Sequence, residues 1–168
     1  MRTLVLALLA TFAAAAGFAQ AAPLGDGPDD KALAKLRGIT FFFIDVTSSE
    51  SRPEDLDLRA EIRDAMELEL RRANITPRPA EGLGPESMTP LLLIDLRLDR
   101  GLGRYNADVT LSVRDNATIT RNKETVLAQT YSQTKRAMGS SDGGLSRDIK
   151  SRGKELVQEL IEGMKRAK

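Results

Sequence analysis

Eight polar residues, spaced mostly two apart along two stretches, are the best candidates for chemistry or for meeting a partner. They are Asp95, Arg97 and Asp99, then Asn106, Asp108, Thr110, Ser112 and Arg114. Residues two apart on an extended strand share a face, so the two sets build one polar surface if their strands are neighbours. Paired carboxylates perform acid–base work when their environments push their pKa values apart. Asp95 and Asp99 are four residues apart, about 13 Å along a strand. That is too far to share a proton and wide even for an inverting glycosidase pair. Asp99 and Asp108 can approach only if the register of a hairpin brings them together. Alternating charges on a solvated strand face also discourage unwanted sheet pairing, a simpler role that outweighs catalysis here. We read the eight as an interaction face and expect no catalytic, cofactor-binding or metal-binding residues.

The rest of the composition narrows the chemistry further. There is no His, Cys or Trp, which removes the usual general base near neutral pH and the commonest metal ligand. Asp45 closes an oily run, where capping of the Ser-rich turn after it is the simplest role. Asp26, Asp29 and Asp30 lie in a Pro- and Gly-rich lead, and no stretch has the spacing of a calcium loop. Gly82-Leu83-Gly84 and Gly101-Leu102-Gly103 lack the Lys and helix start of a phosphate loop. Ser151 precedes Lys154 by three residues, as in serine–lysine hydrolases, but no companion motif accompanies it. Asn74-Ile75-Thr76 and Asn116-Ala117-Thr118 match the glycosylation triplet, which carries no meaning in a bacterial protein.

The stretch from Arg37 to Ile75 organises the elements that must position this face. Ile39–Val46 holds three of the five Phe and is apolar at both parities, the pattern of a central strand buried on both faces. Ser51 and Glu54 form a capping box. The helix that follows spaces Leu58, Ile62, Met66 and Leu70 by four, and ends near Ala73 with Asn74 as a left-handed cap. Residues 76–90, rich in Pro, read as a loop, a lid in a ligand-binding protein. Strands follow at Leu91–Arg100, from Arg104 as far as Ile119, and from Thr125 to about Lys135. Residues 138–144 read as a flexible link, and a last helix spans about Leu145–Lys165, with Gly153 allowing close packing. Lys31–Arg37 reads as a short helix with Leu33 and Leu36 on one side. The expected fold is α+β: a two-layer β-α-β-β-β-α sandwich, with a mixed four-stranded sheet and two main helices on one face.

Residues 1–21 read as a signal peptide. Arg2 precedes an apolar run from Leu4 to Phe18, and Ala19-Gln20-Ala21 offers a cleavage site before Ala22. The run is shorter than the roughly 20 residues needed to span a bilayer. Residues 22–37 read as a flexible lead-in and 38–168 as a single domain. Without Cys there is neither a disulfide nor a site for the bacterial lipid anchor, which fits a periplasmic or secreted protein with no stable membrane anchor after cleavage. The net charge of +1 includes Arg2, so the exported chain is balanced. Nucleic acid and anionic membranes select a positive excess, and neither is expected as a partner.

The strand Ile39–Val46, the helix exit Leu68-Glu69-Leu70-Arg71-Arg72-Ala73-Asn74-Ile75 and Pro77 before a meander resemble small bacterial envelope domains, namely the N-terminal domain of TolB-type proteins and the LpoB-type activators of cell-wall synthases. The chain lacks the anchor Cys of the second group and the propeller of the first. The resemblance implies a non-enzymatic adaptor or assembly domain with an envelope protein as partner. The alternatives are a small-ligand-binding periplasmic protein, a carboxylate-dependent hydrolase, or a homo-oligomer built through exposed sheet edges.

Overall fold

The computed structural model describes residues 30–49, 53–80, 87–101, 103–140 and 142–166. The expected signal peptide, residues 22–29 and the Ser51 cap lie outside them. In chain order the elements are α1 (Asp30–Ala34), β1 (Phe41–Ser48), α2 (Pro53–Arg72), β2 (Thr76–Pro79), β3 (Leu91–Gly101), β4 (Arg104–Thr118), β5 (Thr125–Gly139) and α3 (Asp142–Arg166). The fold is α+β, with three helices and one mixed sheet among the described residues, the strands in the order β2-β1-β3-β4-β5. β1 runs parallel to both its neighbours, while β3, β4 and β5 form an antiparallel meander.

The sheet has five strands rather than the expected four. Thr76–Pro79 is a strand, not part of a loop, and pairs with Phe41–Ile44. Its two prolines masked it. Proline cannot donate to a ladder, but it is tolerated on an edge strand where one side of the backbone has no neighbour. The link at 138–144 is also shorter than expected, because β5 keeps Met138 and Gly139 and α3 begins at Asp142.

The core forms where three patterns meet. Phe42, Ile44 and Val46 of β1, Leu92, Ile94, Leu96 and Leu98 of β3, and Tyr105, Ala107, Val109, Leu111 and Val113 of β4 all point to one face. Against it lie Leu58, Ile62, Met66 and Leu70 of α2, and Leu145, Ile149, Leu156, Val157, Leu160, Ile161 and Met164 of α3. Leu33 of α1 and Leu36 just after it join the same core. Both long helices thus cover one side of the sheet.

α2 ends as its sequence requires. Asn74 is left-handed (φ 60°), the Asn74 N–H donates to Arg71 O at 3.1 Å and the Ile75 N–H to Leu70 O at 2.9 Å. This is a Schellman closure with Asn in place of Gly. Ile75 then packs into the core beside Leu70, and the Thr76 N–H reaches Thr40 O at 2.9 Å to start β2.

Glycine packing differs from expectation. A Cβ on Gly153 would sit 3.8 Å from Ile62 and 3.9 Å from Ile94, an ordinary contact, so close packing does not require this glycine. Within α3 the close approach is Gly163: a Cβ there would lie 2.6 Å from both Leu33 methyls.

Candidate functional site

The register brings the eight expected residues onto one sheet face, opposite the helices. Residues aligned across strands form rows. Thr47, Asp95, Thr110 and Thr134 make one row; Arg97, Asp108 and Arg136 the next; Asp99, Asn106 and Met138 the last. Toward the other end come Asp45, Leu93, Ser112 and Ser132, then Phe43, Leu91, Arg114 and Gln129. The face therefore grades from apolar at the start of β1 and β3 to charged at their ends.

The charged end is internally matched. Arg136 Nε donates to Asp108 Oδ1 at 2.8 Å, and Arg97 Nε lies 3.5 Å from Asp95 Oδ2. Asp95 also accepts from the Thr47 hydroxyl at 3.0 Å, and the Thr110 and Thr134 hydroxyls are 2.9 Å apart. Asp108 stands opposite Arg97, and Asp99 opposite Asn106, so Asp99 and Asp108 are diagonal neighbours. Arginines interleave the carboxylates, which is the arrangement of a charge ladder rather than of a proton-sharing dyad.

At the apolar end lies a cluster that the sequence did not announce. Phe41 and Phe43 meet edge to face with ring centroids 5.9 Å apart, and the Arg78 guanidinium sits 3.9 Å above the Phe41 ring. Arg78 belongs to β2, so missing that strand meant missing this contact. A cation over an aromatic face is worth about 0.5–1 kcal/mol where exposed, and here it caps rings on the side of the sheet that the helices leave bare.

A cleft of about 610 Å³ opens at the end of the β3–β4 hairpin, lined by Asp99, Gly101, Arg104, Tyr105, Asn106, Met138, Gly139 and Ser140. β2 lies at the opposite end of β3, level with Leu91, so Thr76–Pro79 is no lid over this cleft.

The remaining candidates fall to structural roles. Among the described residues, Asp45 Oδ1 accepts from the adjacent Val46 N–H at 2.8 Å rather than from the turn. Ser49 makes the join instead, with its Oγ accepting from Leu98 N–H at 3.2 Å and its own N–H donating to Leu96 O at 2.8 Å. Ser151 bonds Glu155 at 3.3 Å, while Lys154 turns to Glu69 at 3.3 Å, so they form no dyad. Among the described residues no three acidic side chains converge to hold a metal, and no helix is long and apolar enough to cross a membrane.

Ionic ties hold the helices to the sheet and to each other. Lys135 of β5 reaches Glu155 at 3.1 Å and Glu159 at 2.5 Å on α3. Burial opposes its charge, but the two carboxylates more than offset this and raise its pKa. Glu69 of α2, buried, accepts from Gln158 at 3.1 Å and pairs with Arg72 at 2.8 Å. The Gln158 bond leads in lowering its pKa against the opposing effect of burial, with Lys154 and Arg72 adding to it. The Tyr105 hydroxyl donates to Asp148, a bond that holds the Asp148 carboxyl low and raises the phenol. Burial, then the charge of Glu159, pushes Tyr131 up to about 12.

No family model and no curated protein matches the chain. Among solved structures, it is similar to a single-residue variant of the PelC dodecamer from Paraburkholderia phytofirmans at 19% identity, with a TM-score of 0.47 over 74% of this chain and 89% of that one. A second PelC dodecamer from the same organism gives 18% identity and 0.45 over 73% and 89%. A minor lipoprotein from Acinetobacter baumannii gives 9% identity and 0.38 over 76% and 92%.

Proposed function

We propose that the chain is an exported, non-enzymatic interaction domain of the bacterial envelope, whose bare sheet face meets an envelope protein. One observation carries this reading: two long helices cover one side of the sheet, and the eight polar residues from Asp95 to Arg114 gather on the other in aligned rows. The signal-like residues 1–21 support export, and the resemblance to TolB-type and LpoB-type domains supports an adaptor role. The carboxylates of the face are interleaved with guanidinium groups, which suits recognition of a surface with complementary charge better than proton transfer.

Crosslinking in the native envelope, followed by mass spectrometry, tests this. One dominant protein partner is expected, lost when Asp95→Lys and Arg97→Glu are combined in a chain that keeps its circular dichroism spectrum. A partner unaffected by these substitutions, or none above background, refutes the assignment.

A further inference from the structure

We infer that the C-terminal half of β5, Tyr131–Gly139, is a pairing edge that joins two copies of this chain antiparallel across a two-fold axis near Lys135. The two edges of the sheet are unequal. β2 is four residues long and carries Pro77 and Pro79, so it is both too short and too poor in donors to pair. β5 is fifteen residues long, contains no proline and includes Thr125, Val126, Thr130, Tyr131 and Thr134, types that suit strands. Among the described residues, its backbone takes no partner other than the ladder to β4.

Edge strands are usually protected by outward Lys, by Pro or by a bulge. The two cations of β5 are both engaged within the chain, Lys135 by Glu155 and Glu159 and Arg136 by Asp108. The bulge lies at Thr130, whose hydroxyl donates to Val113 O at 3.2 Å. Beyond it, nine residues pair with β4 without interruption, from Tyr131 opposite Val113 to Gly139 opposite Tyr105. Among the described residues this is an unguarded row of donors and acceptors.

The occupant follows from what the row can accept. A row of amides and carbonyls takes an extended strand. Joining β5 of one copy to β2 of the next is blocked by the prolines, so among the described strands copies of this chain can associate edge to edge only through β5 with β5, which closes as a dimer. A parallel pairing would face each cation with its own copy. The antiparallel pairing about Lys135 places Arg136 against the partner's Thr134, and exposed Met138 against the partner's Ser132. At the axis the two Lys135 meet within four carboxylates, two Glu155 and two Glu159, and this surplus of negative charge offsets the repulsion between the two cations.

Light scattering and backbone hydrogen exchange on the purified chain, over a range of concentrations, test this, with two variants at one exposed site. Dimer mass is expected. The alternate amides of residues 131–139 that point away from β4 should slow as the concentration rises. Thr134→Lys sets a cation against the partner's Arg136 twice per dimer and should weaken dimerisation about five- to tenfold; Thr134→Glu should strengthen it by a similar factor. A monomer at every concentration overturns the inference, including one that binds a foreign extended peptide at this edge. A dimer whose outward β5 amides exchange freely overturns it too, as do shifts of the same sign in the two variants.

Discussion

Two glycines on the buried side of α3 offer a sharp test of the packing, because they should respond to the same substitution with opposite signs. Gly153→Ala gains helix propensity, about 0.5–1 kcal/mol in a helix interior. Its methyl enters a space where Ile62 Cγ2 and Ile94 Cδ1 stand at 3.8 and 3.9 Å, which adds up to about 0.8 kcal/mol for one buried carbon. The sum is a stabilisation of about 1–1.5 kcal/mol. Gly163→Ala gains less propensity, since Gly163 lies in the last turn of a helix ending at Arg166. Its methyl would meet both Leu33 methyls at 2.6 Å and Leu33 Cγ at 3.2 Å. Leu33 is fully buried, so it can yield only by displacing α1, and overpacking of this kind costs about 1–3 kcal/mol. The two variants should therefore differ by about 2 kcal/mol or more. Urea melts at equal slope read this directly, and Tm should separate the variants by several degrees. If Gly163→Ala matches or exceeds Gly153→Ala, the placement of α1 against α3 is wrong.

Other perturbations have defined outcomes. Ile62→Asp puts a charge in the centre of the α2 stripe and should abolish cooperative unfolding at ambient temperature; an unchanged melting midpoint would contradict the core described here. Tyr105→Phe removes the bond that leads in holding Asp148 low, so the Asp148 carboxyl should titrate at higher pH by NMR, and an unmoved titration would deny that the bond forms in solution. Glu69, Glu155 and Asp148 all have lowered pKa values in the fold. Their stabilisation is present above the unfolded carboxylate values of about 4 and is lost as pH falls through the folded ones. Urea midpoints should thus be flat from about pH 7 to 5 and then drop, and the deficit of Glu69→Gln should shrink along that drop; a deficit independent of pH would refute the Glu69 network.

Much of the architecture was legible in residue spacing. The period of four in α2, the alternation of β4 and the left-handed cap at Asn74 each report a local rule, and each appears where it was expected. The eight-residue face was legible for the same reason, since alternation fixes which side chains share a side. What escaped depended on position in the sheet. Thr76–Pro79 is a strand only because it sits at an edge, and no local signal says so. With it went Arg78, and so the cation over Phe41 and Phe43. Hairpin register is likewise non-local: it decides that Asp99 faces Asn106 and that Asp108 faces Arg97. Gly153 and Gly163 look alike in sequence, and only the docking of α1 tells them apart.

The position of β1 imposes an order of events on folding. This strand is made early, yet it lies between β2 and β3, and its Val46, Thr47 and Ser48 find their partners only at Ile94, Asp95 and Leu96. The turns from β3 to β4 and from β4 to β5 close over a few residues, whereas β1 must reach across the whole of α2 and β2 to meet β3. Short closures are fast and long ones slow. The β3–β4–β5 meander is therefore expected to form first and to offer the free side of β3 as a template, with the Phe-rich strand inserted afterwards. Folding kinetics of conservative variants should then give high φ-values at Val109 and Leu111 and low ones at Phe42 and Ile44. A chain built this way carries its most apolar strand unsheltered for the longest time.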